Sequence, residues 1–285
     1  MNLAGTFIAV DWGTTNRRAY RVEGQKVVAA IGSVGGVLAT EDFPTAIADI
    51  RAQLGDVAML LAGMVGSNRG WVEVPYVVAP AGLQDLARAL HAVADDIAIV
   101  PGVRTDEDIM RGEEVQALGA VAAGLIADAS RICHPGTHAK WIDMAGGAIA
   151  GFRTALTGEL FGLLKAHSIL APYLKRSASV NDAFFAGVDL ALAGEPLLDA
   201  LFGVRSRLIL GNLDEGDAPS FTSGLVIGTD VAAHAPRGER VALLGDPQLC
   251  TLYEAALGRA GCPSGSTDGA QAFVAGMIAI RNLVT

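Results

Sequence analysis

Charge is scarce in this 285-residue chain: Asp, Glu, Lys and Arg make up 18% of it, and the net balance is acidic at −9. That balance argues against nucleic acid as a partner, because a phosphate backbone is usually met by a basic face. Small anionic ligands stay open, since they need local N–H groups, a cation or two and a metal. Long apolar runs are missing too. None reaches the roughly 18 residues that a bilayer-spanning helix needs, and the nearest, Ala117 to Ala127, reads as a buried Ala/Gly-rich helix. No basic segment leads into an apolar stretch with a cleavage site at the N-terminus, so no secretory signal and no membrane partner are expected. Cys133, Cys250 and Cys262 are an odd, widely spaced set, which argues against a disulfide framework and for a reducing, cytoplasmic compartment. Repeats and low-complexity tracts are absent. So is G-x-x-x-x-G-K-[ST], which means that any nucleotide is not held in the Walker manner. No G-x-G-x-x-G stands at a strand-to-helix junction, and Gly32-Ser-Val-Gly-Gly36 does not match it.

What is present is apolar, with much Ala and Gly, and long enough for two domains that each bury a core. Strands are expected at Phe7–Val10, Ala19–Glu23 and Lys26–Ile31, followed by a helix over Thr45–Leu54 with Ile47, Ile50 and Leu54 at helical spacing. A strand at Val57–Leu61, a Gly-rich loop, a helix over Leu83–Val93, a strand at Ile97–Val100 and a helix from Thr105 to about Ile126 complete a βββαβαβα order. The pattern then restarts with strands at Ser130–His134, Lys140–Met144 and Ala148–Thr154. Helices follow over Glu159–Leu170, Ala178–Leu192, Leu197–Val204 and Gly224–Ala233, then a strand at Arg240–Leu244 and a helix over Pro247–Arg259. A final helix covers Asp268–Leu283, where Asp268 and Gln271 resemble a capping box. The expected fold is α/β, in two similar domains that face a cleft: residues 1–126, residues 127–267, and a C-terminal helix over 268–285 that packs back on the first.

The most informative stretch is Phe7-Ile-Ala-Val-Asp-Trp-Gly-Thr-Thr-Asn-Arg-Arg-Ala-Tyr20. An apolar run delivers Asp11, then Gly13, Thr14 and Thr15, and a second strand begins at once. A tight turn of this kind points backbone N–H groups and hydroxyls one way, which suits phosphate oxygens. Asp11 is placed to hold a hydrated Mg²⁺ on those phosphates, because magnesium keeps waters and takes one or two carboxylates. Arg18 lies just past the turn, either meeting a γ-phosphate or standing as a surface arginine. The second half repeats the device in His134-Pro-Gly-Thr-His-Ala-Lys-Trp141, with Gly136 and Thr137 as the cradle. Lys140 there reads equally as a point charge for phosphate or for a substrate carboxylate, and as a solvated strand lysine. Cys133, His134 and His138 do not make a zinc site, since no second set of ligands stands elsewhere.

These two turns together resemble the phosphate loops of the sugar kinase/hexokinase/actin superfamily, whose domains are ribonuclease H-like. Further stretches resemble the 2-dehydro-3-deoxygalactonokinase family: Gly63-Met-Val-Gly-Ser-Asn-Arg-Gly-Trp-Val-Glu-Val-Pro-Tyr76, Asp108-Ile-Met-Arg-Gly-Glu-Glu114, Thr157-Gly-Glu-Leu-Phe161 and Gly245-Asp-Pro-Gln-Leu249. The resemblance covers nearly the whole chain. It implies ATP and Mg²⁺ as cofactors and phosphorylation of the 6-hydroxyl of a 2-keto-3-deoxy sugar acid in galactonate breakdown. Two positions depart from the family pattern: Glu107 stands where proline is expected, and Ala139 where serine is expected.

Phosphoryl transfer to an alcohol needs a phosphate cradle, a metal, a base for the hydroxyl and exclusion of water. The resemblance implies that the base sits at the start of the helix before the second phosphate turn. Asp106, Glu107, Asp108, Glu113 and Glu114 crowd that region, where acids also simply complement a helix dipole. Asp108 matches the motif best, with Asp106 in reserve. In the loop after Gly63, Ser67, Asn68, Arg69, Trp71, Glu73 and Tyr76 supply groups for a linear sugar acid, against the plainer reading of a loop capped by a buried Trp71. Gly36 either lets backbone approach the substrate or makes an ordinary turn. Gly224, Gly228 and Gly245 shape an adenine pocket or serve helix packing. A non-catalytic nucleotide-binding protein and a phosphoanhydride hydrolase of the same architecture are the competing functions. The polar run Ser67–Glu73 favours a sugar over water. A homodimer is compatible with the sequence, which fixes neither the oligomeric state nor the substrate stereoisomer.

Overall fold

The computed structural model describes residues 5–128 and 130–284. In its first part the chain forms β1 (Thr6–Trp12), β2 (Asn16–Glu23), β3 (Lys26–Val34), α1 (Phe43–Leu54) and β4 (Ala58–Gly63). After these come β5 (Val77–Val78), α2 (Leu83–Arg88), β6 (His91–Ala94), β7 (Ile97–Ile99), β8 (Val103–Arg104), β9 (Ile109–Met110) and α3 (Glu113–Ala122). The second part has β10 (Arg131–His134), β11 (Ala139–Ala145), β12 (Ala148–Ala155), α4 (Thr157–His167), α5 (Asp182–Leu192) and α6 (Leu197–Ile209). It continues with α7 (Ala218–His234), β13 (Val241–Gly245), α8 (Pro247–Ala260), β14 (Ser264–Asp268) and α9 (Gly269–Val284). The chain divides into two compact units, one of residues 1–129, 142–152 and 269–285, the other of 130–141 and 153–268.

In the first unit a mixed six-stranded sheet has the order β3-β2-β1-β4-β7-β6. The three opening strands are antiparallel neighbours, whereas β4 joins β1 in parallel and β7 joins β4 in parallel. β1 is the buried spine, with Phe7 through Val10 inaccessible, as its unbroken apolar run dictates. Strand alternation sends Ile8, Val10 and Trp12 into one core with Ile47, Ile50 and Leu54 of α1. The helix starts at Asp42, whose carboxylate caps the Thr45 N–H with Pro44 in the first turn, and stops at Gly55. On α3, Gly119 meets the backbone of Ala272 in α9, and Gly276 of α9 meets the Val115 carbonyl, so a Cβ at either glycine would overlap main chain. This backbone-to-backbone crossing holds the helix whose first turn carries Glu113 and Glu114.

The second sheet has the order β12-β11-β10-β13-β14, with β10, β13 and β14 parallel in turn. In the second unit α5 and α7 cross as closely as α3 and α9 do: Gly187 faces the Phe221 carbonyl, Gly224 the Phe184 carbonyl, and Gly228 the Val188 Cα. Among the described residues no helix is long and apolar enough to cross a membrane. The three cysteines are free and buried.

Several elements differ from the sequence-based expectation. The helix over 83–93 stops at Arg88, and His91–Ala94 becomes β6, antiparallel to β7, because Leu90 and Val93 satisfy a strand as well as a helix. The long helix from Thr105 is instead the β8–β9 hairpin followed by α3. Gly112, at φ 112°, breaks the helical path just before Glu113. α7 begins at Ala218 rather than Gly224, with Pro219 in its first turn. Residues 264–267, unassigned in the sequence, form β14 together with Asp268, which was expected to open the last helix; α9 begins at Gly269.

The same substitution should act with opposite sign at two helical glycines. Gly119→Ala forces main chain apart and should cost about 2 kcal/mol after the helix-propensity gain is allowed for. Gly258→Ala, on an exposed stretch of α8 with no neighbour within 4 Å, should gain up to about 1 kcal/mol. Urea denaturation midpoints of the two variants check this. Equal shifts would show that the helix crossing tolerates a methyl group.

Candidate active site

The first turn is built from β1 and β2 in register, with Asp11 opposite Arg18 and Trp12 opposite Arg17. Gly13 donates its N–H to the Asn16 carbonyl, leaving Thr14 and Thr15 exposed. A second segment braces this turn. Gly35 and Gly36 both donate N–H groups to the Thr15 carbonyl at 2.9 Å, and Val37 donates to the Gly13 carbonyl at 3.0 Å. A side chain at Gly36 would overlap the backbone of Gly13 and Thr14. Gly36 is therefore glycine because main chain presses on main chain at the turn.

Burial pushes the Asp11 carboxyl up to about 6, Arg18 opposes the shift, and Glu113 adds to it. Asp11 and Glu113 thus share one electrostatic environment, joining the end of β1 to the start of α3. Glu113 accepts the Arg111 N–H at 3.1 Å and is half-buried. Its neighbour Glu114 is wholly buried, with both carboxyl oxygens on the Gly112 N–H at 2.9 and 2.7 Å. Burial dominates there and raises the Glu114 carboxyl to about 8, so it holds a proton at neutral pH. Among the described residues no group of three or more His, Cys, Asp or Glu could cage a metal.

Asp106 and Asp108 are not at the helix start. They lie in the β8–β9 turn, where the Thr105 hydroxyl accepts the N–H groups of Glu107 and Asp108, and Asp108 Oδ1 accepts the Ile109 N–H at 2.8 Å. Asp106 is exposed and 3.9 Å from Arg104. The carboxylates that do open α3 are Glu113 and Glu114, and the signal that could have found them is Gly112. In the loop after β4, Ser67 is buried and bonds the Met64 carbonyl, while Trp71 stacks on Phe43 at 6.2 Å. Both shape the loop. Tyr76 lies under Arg111, whose guanidinium sits 4.1 Å from the ring and donates to the Val74 carbonyl. Asn68, Arg69 and Glu73 are exposed at the loop surface.

In the second unit a cavity of about 580 Å³ opens beside the second turn. Gly136, Thr137, Thr157 and Gly158 form one part of its lining. Phe161, Val180, Val226, Ile227, Leu249 and Leu252 give an apolar wall, with Ser179, Ser223 and Gln248 as polar points. The turn is braced as the first is: the Glu159 N–H bonds the Thr137 carbonyl at 2.8 Å, and a side chain at Gly158 would overlap Gly136. The first turn of α4 therefore sits against Gly136-Thr137, and a helix N-terminus is where an anion is favoured. His138 pairs with Glu159 at 2.5 Å beside the turn.

Gly224 and Gly228 face α5, so their role is helix packing, and it is Ser223, Val226 and Ile227 of α7 that line the cavity. Gly245, at φ 146°, ends β13 beside Pro135 of the turn. Lys140 is buried and bonds the Thr154 hydroxyl at 2.9 Å, which removes its ammonium from the cavity lining. The cation that does line the cavity is Lys165 of α4, which no motif singled out.

Behind the cavity stands a buried carboxylate. Asp230 of α7 accepts Trp141 Nε1 and Thr157 Oγ1 at 2.8 Å each, accepts the Tyr253 hydroxyl at 2.5 Å, and faces His234 Nδ1 at 3.1 Å. The hydrogen bond to Asp230 raises the His234 imidazole above its ordinary range.

The family model for 2-keto-3-deoxy-galactonokinase matches residues 11–280 of the chain. The chain is 34% identical to the 2-dehydro-3-deoxygalactonokinase of Escherichia coli (strain K12) over 293 residues, covering 99% of each. It is 36% identical to the "Probable 2-dehydro-3-deoxygalactonokinase DgoK1" of Rhizobium meliloti (strain 1021), covering 100% of this chain and 99% of that one. The crystal structure of a "putative 2-dehydro-3-deoxygalactonokinase protein" from Sinorhizobium meliloti superposes with a TM-score of 0.90 at 33% identity, over 96% of this chain and 97% of that one. The ADPNP-bound activator of the 2-hydroxyisocaproyl-CoA dehydratase from Clostridium difficile shares the fold alone, with a TM-score of 0.54 at 12% identity over 97% of this chain and 94% of that one.

Two measurements probe this arrangement. The fold raises Glu114 from 4.5 to about 8, so the native state keeps a proton that the unfolded chain releases between those values. Stability should fall as pH rises through that window, by up to about 1.4 kcal/mol per pH unit. Glu114→Gln keeps an acceptor for Gly112 and should flatten that slope in denaturation at pH 5 to 8; an unchanged slope would show that Glu114 is ionised in the fold. Gly158→Ala should displace Gly136-Thr137 and weaken nucleotide binding roughly tenfold or more, given an overpacking cost of about 1–3 kcal/mol. Calorimetric titration with ATP reads it, and wild-type affinity would mean that the turn is not a phosphate cradle.

Proposed function

The chain belongs to the 2-keto-3-deoxy-galactonokinase family, and we propose from that footing that it transfers the γ-phosphate of ATP to the 6-hydroxyl of 2-dehydro-3-deoxy-D-galactonate in galactonate catabolism. It is an ATP-dependent sugar-acid kinase, with ATP and the sugar acid as its small-molecule partners. The sheet orders β3-β2-β1-β4-β7 and β12-β11-β10-β13-β14 support reading both units as ribonuclease H-like domains of the actin/hexokinase type. The observation that carries the residue-level reading is the pair of turns, each braced by a glycine from a second segment: Gly13-Thr14 under Gly36, and Gly136-Thr137 under Gly158.

The cavity of the second unit takes the nucleotide. Its apolar wall suits a base, and the α4 start with Gly136 and Thr137 suits phosphate oxygens. Gly245 keeps the end of β13 clear of that turn, and Lys165 supplies a nearby cation. In the first unit Thr14, Thr15 and Arg18 present donors and a positive charge for the transferring group. Asp11 is the residue that would hold Mg²⁺, whose charge neutralises the phosphoryl oxygens as transfer proceeds. A bound cation would also return Asp11 to its ionised form against the desolvation that raises it. Asn68, Arg69 and Glu73, open at the surface of the loop that Ser67, Trp71 and Tyr76 shape, recognise the hydroxyls, ketone and carboxylate of the acid.

For the base we assign Glu113 in place of Asp108. It opens α3, shares its surroundings with Asp11, and stays accessible, whereas Asp108 is committed to a hairpin turn. Glu113 stands in the first turn of α3, where acidic side chains are favoured. Glu113→Gln should lower kcat by about 10²–10⁴-fold with ATP affinity kept, and Asp108→Asn should stay within a few-fold of wild type. An ADP-release assay over a panel of 2-keto-3-deoxy acids with ATP and Mg²⁺ decides the matter. The reverse ranking of the two variants would return the role to Asp108, and turnover independent of any acid would make the protein a hydrolase.

A further inference from the structure

The Asp230 carboxylate lies outside every role assigned above, yet four elements of the second unit converge on it. Trp141 belongs to the strand that leaves the second turn, Thr157 opens α4, Tyr253 is on α8, and Asp230 with His234 is on α7. Its side chain is 2% exposed, so the partners replace water entirely. Thr157 and Tyr253 line the cavity, whereas Trp141 and Asp230 are not in its lining. The carboxylate therefore grips the cavity wall from behind.

We propose that Asp230 is a positioning residue for the nucleotide: it fixes Thr157, and with it the α4 start that braces Gly136-Thr137, against Tyr253 and the strand carrying Trp141. This rests on the reading that the cavity takes ATP. A carboxylate and an amide act differently here. Thr157 and Tyr253 both donate to Oδ2, and Trp141 and His234 meet Oδ1. An asparagine with its NH₂ toward Trp141 loses the indole hydrogen bond, whereas one with its NH₂ toward Thr157 and Tyr253 makes acceptors of both hydroxyls and turns their protons toward the cavity. Hydrogen bonds to a buried charge are among the stronger ones, and losing one partner leaves the rest less well fixed. With both hydroxyl protons turned inward, the oxygens of Thr157 and Tyr253 offer lone pairs and not protons on the cavity side.

The test is calorimetric titration of the full chain with ATP, alongside KM for ATP and for the sugar acid. Trp141→Phe removes one donor from Asp230 without touching the cavity lining, and Thr157→Val removes another that does. Each should weaken ATP binding several-fold, and Asp230→Asn roughly tenfold or more. The KM for the sugar acid should stay within twofold throughout. Thr157→Val should add little in the Asp230→Asn background, since both act through one carboxylate. Asp230→Asn need not fold for the idea to be judged, because Trp141→Phe and Thr157→Val carry it alone. A fall in melting temperature with unchanged ATP affinity in those two variants would reduce Asp230 to a purely structural role. Val180→Trp, which fills the cavity, separates the two readings. If it leaves ATP binding intact, the cavity is not the nucleotide site; if it abolishes binding while the Asp230 series has no effect, only the positioning role fails.

Discussion

Main chain pressed against main chain is the constraint on which this structure depends. Each glycine–threonine turn must keep its N–H groups and hydroxyls outward while the strand pair beneath it stays in register. A turn of that length has too few internal hydrogen bonds to hold one shape. Both turns gain the missing definition from a second backbone laid across them, Gly35-Gly36 on the first and Gly158-Glu159 on the second. Only glycine admits that approach, so the rigidity of each cradle comes from residues distant in sequence. The same device recurs at the ends of strands, where Gly63 meets Trp12 and Gly112 meets Gly63. It recurs again at the two helix crossings. Other glycines serve conformation instead, as Gly24 and Gly146 do in turns with positive φ.

Buried charge follows a second logic. Asp230 is satisfied by donors from four elements, and such a group fixes the positions of everything it touches. Glu114 has the backbone N–H groups of Gly112 and of its own residue, too little to offset desolvation, and it keeps its proton instead. Asp11 stands between these cases, enclosed but within reach of Arg18. Arg111 is met less fully, since its Nε and Nη1 are buried without a hydrogen-bond partner. Its contact with Val74 and the Tyr76 ring links the polar loop to the segment that leads into α3.

Much of this was legible in the sequence. The apolar spine, the aspartate at its end, the turn and the second strand all follow from residues 7–20, because local chemistry alone dictates them. The restart at residue 130 was equally plain. Illegible features depend on partners that the sequence does not display. His91–Ala94 reads as helix until β7 is there to pair with it. Gly224 and Gly228 look like pocket glycines until α5 fills the space in front of them. The small polar residues over 264–268 carry no strand signal of their own, and only the edge of β13 recruits them. The helix start near 105 was misplaced for a different reason. Thr105, Asp106 and Asp108 satisfy an N-cap pattern as readily as a hairpin turn, and Gly112 with its positive φ, a residue read only as part of a motif, decides between the two.

That glycine also explains how two adjacent glutamates come to differ so widely. Consecutive residues on a helix point about 100° apart, so once α3 begins at Glu113 the pair cannot share a face. Glu114 turns into the core and back onto Gly112. Glu113 stays at the open end, near the ionisable Asp11 and the positive end of the helix dipole. One carboxyl is thereby buried and kept neutral, and the other is left half-buried at the helix end, within a single turn. Had the helix begun at Thr105, residues 113 and 114 would lie in its third turn, away from the dipole's end. The position of one glycine with positive φ, and not the abundance of acids around it, determines which carboxylate is buried and which is left at the helix end.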